Sequence, residues 1–165
     1  MLAADRFPDS EFIKKIPEPS SPSEYYLYSR VAGQFSEALE ALAKAVELVE
    51  SARKAEFLTE WVRLLRLSEP QENQIDFLQK NISSIEHVPP GLWLEAAELV
   101  ETAGKNELAK KWYSEARQAA ETKSDALLGL IRLSIAGKNH SETEQLFEEY
   151  LLEVEDETSP EYWLL

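Results

Sequence analysis

The stretch that decides the fold is Trp93–Lys123, WLEAAELVETAGKNELAKKWYSEARQAAETK. Apolar residues recur in it at helical spacing on both sides of Gly104. A glycine directly after an apolar helix marks its end, because a residue of positive φ commonly closes the last turn. Two short helices joined by a few residues pack as antiparallel neighbours. Alanine at the crossing (Ala97, Ala109, Ala116) lets the two backbones approach, and the aromatic Tyr113 fills the gap to whatever follows.

Outward from this hairpin the pattern repeats. Gly104 and Gly137 lie 33 residues apart, and Gly33 and Gly104 lie 71 apart, close to two such periods. Ala109, Tyr113 and Ala116 recur 34 residues later as Thr143, Phe147 and Tyr150, and 71 earlier as Ala38, Leu42 and Ala45. The spacing predicts helices at about 23–32, 36–52, 54–67, 71–84, 91–103, 107–121, 125–136 and 141–155. Ser36 and Ser141 are the expected N-caps, the latter with Glu144 at capping-box spacing. Pro89-Pro90-Gly91 forms the clearest central break, whereas a break near Ser51–Arg53 is demanded by the repeat alone. Pro8, Pro17, Pro19 and Pro22 make residues 1–21 an extended arm.

Trp93, Ala97, Gly104, Ala109, Tyr113 and Ala116 resemble the large–small–Gly–small–aromatic–small motif of the tetratricopeptide repeat (TPR) family. The resemblance extends over residues 22–155, with Glu69-Pro70 replacing the turn glycine in the second hairpin and one extra residue after Gly137 in the fourth. It implies an all-α, right-handed superhelical array of about four antiparallel helix hairpins, a TPR-like α-solenoid, over residues 22–159. Residues 160–165 are then the start of a further helix or a C-terminal cap. A different helical repeat or an irregular bundle is the structural alternative.

Composition narrows function. The 165 residues are 44% hydrophobic and 29% charged, which suits a globular chain rather than a disordered one. A net charge of −14 argues against nucleic acid and membrane surfaces as partners. No apolar stretch is long enough for a signal peptide or a membrane span, so the expected location is cytoplasmic, or periplasmic or exported if a signal or anchor has been removed. The absence of cysteine excludes disulfides, thiolate metal sites and cysteine nucleophiles.

Catalytic signals are missing. His87 and His140 lie in separate turns, with no metalloprotease helix, calcium loop, phosphate loop or nucleophile elbow around them. The expectation is a non-enzyme with no cofactor and no metal. The acidic run Glu142, Glu144, Glu148, Glu149, Glu153, Glu155, Asp156, Glu157 reads as a solvated outer helix face, with a docking patch for a basic partner as the alternative. In each aromatic pair, Tyr25-Tyr26, Trp112-Tyr113 and Tyr162-Trp163, one member is expected in the core and one exposed.

What the resemblance implies about binding is a concave groove lined by the first helix of each hairpin. Arg30, Thr59, Arg63, Arg66, Leu94, Glu98 and Arg132 are the groove candidates, and the arginines would favour an acidic ligand unless neighbouring glutamates such as Glu60 pair them. The lysine and asparagine with which some members of the family clamp a chaperone's terminal carboxylate are not at the corresponding positions. The expected function is a scaffold or adaptor that binds a peptide or helix of another protein. A small chaperone for secreted clients, or a regulatory domain of an enzyme, are the alternatives. Tyr162, Trp163, Leu164 and Leu165 are candidates for self-association or for capping the array's end.

Overall fold

Every apolar residue that recurs at three- and four-residue steps needs a neighbour to cover it, and no helix of this length can do so alone. The computed structural model describes residues 18–157, in which eight helices answer that need. They are α1 (Pro22–Val31), α2 (Phe35–Leu48), α3 (Ser51–Leu65), α4 (Glu72–Ile82), α5 (Pro90–Thr102), α6 (Asn106–Ala116), α7 (Ala120–Ala136) and α8 (His140–Glu157). No strand occurs among the described residues, and no described helix is long and apolar enough to cross a membrane. The helices divide into two compact units between Val88 and Pro89, at the expected central break. Residues 1–17 of the arm and the 160–165 segment lie outside the described residues.

In the first unit, Lys44 near the end of α2 lies over the ring of Tyr25 at the start of α1, so the two helices run antiparallel. Lys54 early in α3 donates to Ser84 just past α4, which fixes the second hairpin the same way. The hairpins join through α3, which packs on α2 and meets α1 through stacked Tyr26 and Phe57 rings at 5.1 Å. Ala38, Leu42, Ala45, Phe57, Trp61 and Leu65 are all buried there.

In the second unit, Trp93 at the start of α5 meets Trp112 late in α6, at 6.0 Å between centroids. Lys123 at the start of α7 pairs with Glu153 near the end of α8. Both hairpins are therefore antiparallel, and α7 rests on both helices of the preceding hairpin. Trp112 and Tyr113 are both buried, contrary to the expectation that one would be exposed. Trp112 is covered by Trp93, and the Tyr113 ring lies on the backbone of Gly129, where an added Cβ would stand 2.5 Å from ring carbons.

Several helix ends differ from the sequence reading. The N-cap of α2 is Gln34, with Ser36 already inside the helix. Asn139 rather than Ser141 caps α8, accepting from the Glu142 amide while its own amide donates to the Glu142 carboxylate. A capping box that the sequence reading passed over starts α1: Ser21 accepts from the Glu24 amide, and Glu24 accepts from the Ser21 amide. The break after α2 falls at Val49–Glu50, both in extended conformation, just before the stretch where the repeat demanded it. The α6–α7 junction comes several residues early, at Arg117–Ala119, with the Thr122 hydroxyl donating back to the Ala116 carbonyl.

The glycine punctuation also shifts. Gly104 ends α5 at φ +73, with Lys105 donating to the Val100 carbonyl. After α7, Gly137 is right-handed at φ −76, and Lys138 takes the left-handed turn at φ +56, with Asn139 donating to the Ser134 carbonyl. The structural counterpart of Gly104 is thus Lys138, 34 residues on, in register with Ala109 and Thr143. Matching the two glycines, 33 apart, produced the apparent extra residue.

Candidate functional site

The groove candidates of the first unit sit on facing parts of α1 and α3. Arg30 on α1 and Arg63 on α3 both pair with Glu60, at 3.4 and 3.2 Å. The Glu60 carboxylate is the more buried partner, and both guanidiniums remain more than half exposed. One carboxylate held between two guanidiniums interrupts the cationic strip that the sequence suggests and leaves it a mixed-charge surface. Thr59 directs its hydroxyl to the Ala55 carbonyl inside its own helix. Arg66 caps the end of α3, exposed, where positive charge complements the helix dipole.

The second unit brings Leu94, Glu98 and Arg132 to neighbouring positions on α5 and α7. Leu94 and Glu98 are half-buried. Arg132 reaches across to α5 and donates to both Glu101 oxygens, at 3.3 and 3.0 Å, and to the Tyr113 hydroxyl at 3.1 Å. Tyr113 in turn donates to Glu101 at 2.5 Å. Burial alone would push the Glu101 carboxyl up, but the hydrogen bonds from Arg132 and Tyr113 and the charge of Arg132 outweigh it and hold the group below its ordinary value. Burial, together with the Glu101 hydrogen bond and charge, pushes the Tyr113 phenol well above its usual range. The triad locks α5, α6 and α7 together and leaves one face of the Arg132 side chain in solvent.

Two residues that the sequence reading did not single out flank Arg132. Leu128 and Ile135 are exposed, Ile135 at 60%. With Arg132 they occupy i, i+4 and i+7, so all three lie along one solvent-facing stripe of α7. The signal was present in that spacing, but it reads equally as a core stripe. The core stripe of α7 is instead Ala126, Leu127, Leu130, Ile131 and Ser134.

The acidic face of α8 is not wholly solvated. Glu142 pairs with Lys110 at 2.6 Å, Glu149 with Arg117, and Glu153 with Lys123. These contacts tie α8 to the preceding helices, while Glu144 and Glu148 point outward. His87 and His140 are exposed. Among the described residues no group of side chains could hold a metal ion. Tyr162, Trp163, Leu164 and Leu165 lie outside the described residues. No protein-family model matches the chain, and no curated protein matches it significantly.

Proposed function

We propose that this chain is a TPR-like interaction module, each unit a pair of hairpins of that kind within a right-handed superhelical array, and that its first-helix faces hold a peptide or helix of another protein. The observation that carries this reading is the stripe Leu128–Arg132–Ile135 on α7 beside Leu94, Glu98 and Glu101 of α5. Apolar side chains left in water on either side of a charge that is already paired form a surface suited to an amphipathic helix, whose apolar residues recur with the same step. The stacking of the hairpins supports the repeat reading, since in each unit the first helix of the second hairpin touches both helices of the first.

Selection from a displayed peptide library tests this. The intact chain is expected to enrich amphipathic sequences, and a Leu128→Glu/Ile135→Glu variant to lose them, with Leu152→Glu on α8 as an exposed control that keeps them. Helical content by circular dichroism shows that the variants fold. Failure to enrich any sequence, or equal enrichment by the double variant, removes the reading.

A further inference from the structure

The first unit contains a cleft that the groove does not use. Leu39, Glu40 and Ala43 of α2, Trp61 of α3, and Gln74 and Phe77 of α4 line a volume of about 300 Å³. Its lining is largely apolar, and the Phe77 and Trp61 rings meet at 4.9 Å. Trp61 is 2% exposed, and its indole N–H has no acceptor among the described residues. Leaving such a donor unmade costs about 1–3 kcal/mol. The cleft therefore offers apolar surface together with a donor that an occupant's carbonyl could satisfy.

The rim is acidic. Helix α2 carries Glu37, Glu40 and Glu47 against Lys44 alone, and α4 adds Glu72 and Asp76 against Lys80. An occupant with apolar and basic residues is the complement.

The chain supplies such a segment beside the cleft. Lys44 pairs with Glu40 at 3.2 Å and lies over the Tyr25 ring, and Glu18 acts on the same ammonium through space. The described chain thus begins next to Glu40 and Ala43. The preceding residues include Phe12-Ile13-Lys14-Lys15-Ile16. At about 3.4 Å per extended residue, Phe12 can reach about 20 Å from Glu18. The α2 wall of the cleft, Ser36 to Ala43, is only about 10 Å of helix.

We infer that Phe12–Ile16 of this chain docks in this cleft, with Phe12, Ile13 and Ile16 against Leu39, Ala43 and Phe77, Lys14 and Lys15 toward the acidic rim, and a backbone carbonyl serving the Trp61 indole. The inference is independent of the partner groove. Occupation by a second copy's arm or by another protein's peptide is distinguished by the test.

The chain has no cysteine, so Lys15→Cys in the full chain carries a single nitroxide. In a nitrogen-15 spectrum the Trp61 indole resonance, assigned through its contacts with the Phe77 ring, is expected to lose most of its intensity. The Trp112 indole of the other unit keeps its own. Adding Phe12→Ser and Ile13→Ser to the labelled chain restores Trp61. An unbroadened Trp61 resonance overturns the inference and leaves the cleft to a foreign peptide. Broadening in a mixture of labelled unenriched chain and unlabelled enriched chain also overturns it, by assigning the cleft to a second copy.

Discussion

The ring of Tyr113 lies directly on the backbone of Gly129, with no room between them for a methyl group. The hydrogen at Gly129 allows α7 to settle onto α6 and keeps the Tyr113 hydroxyl in reach of Glu101 and Arg132. Gly129→Ala is expected to destabilise the chain. Alanine gains about 1 kcal/mol of helix propensity, but a Cβ that stands 2.5 Å from three ring carbons forces the ring or the helix to move, and overpacking of this kind costs about 1–3 kcal/mol. Gly91→Ala is the control, since a Cβ there meets nothing, and it is expected to be neutral or slightly stabilising. Denaturant unfolding midpoints measure both.

Lys138 occupies the left-handed turn that Gly104 occupies in the preceding hairpin. A residue with a side chain pays about 1–2 kcal/mol there, whereas glycine's extra chain entropy costs about 0.5–1 kcal/mol. Lys138→Gly is therefore expected to stabilise the chain by roughly 0.5–1 kcal/mol. Gly104→Ala is expected to destabilise it, although open space surrounds that Cβ, because its φ of +73 is strained for any side chain. An unchanged unfolding midpoint for Lys138→Gly refutes the first expectation.

The Glu101–Arg132–Tyr113 triad sets a pH dependence with two limbs. Glu101 titrates below its model value of 4.5 in the fold, so its contribution is present above that value and is lost as pH falls through the folded pKa. Tyr113 titrates above its model value of 10.0, so its contribution is present below 10.0 and is lost as pH rises toward the folded pKa. Tyr113→Phe is expected to flatten the alkaline limb and keep the acid one. Urea midpoints measured from pH 3 to pH 11 on both chains check this, and parallel alkaline limbs rule out Tyr113 as the cause.

The legible part of this molecule was the part governed by local spacing. Eight helices follow from an apolar step of three and four residues, and the Pro89–Gly91 break marks the division between the units. Ends were harder, because capping is a choice among adjacent polar residues. Ser36 and Ser141 have the favoured chemistry, yet Gln34 and Asn139 have the position. The α6–α7 turn has no glycine or proline, and depends on Thr122 reaching back to a carbonyl six residues earlier. The need for glycine at position 129 exists only because Tyr113 arrives from another helix. Likewise, that Arg30 and Arg63 share Glu60, and that Arg132 engages Glu101, depends on how hairpins stack. The type of each groove residue was readable, but its partner was not.

The ion pairs along α8 bear on how this chain comes apart. Leu146 is the one apolar residue of that helix buried to core level among the described residues, while Phe147, Leu151 and Leu152 face water. Tyr113, the counterpart of Phe147, is sealed by the helix that follows it, and Phe147 has no such cover among the described residues. Much of the hold on α8 therefore comes from Lys110, Arg117 and Lys123, whose attraction weakens as counterions crowd in. Ionic strength thus acts as a selective solvent for one edge of the molecule. Amide exchange should quicken in α8 with added salt while α5 and α6 stay protected, so that the chain frays from its acidic margin rather than melting as a whole.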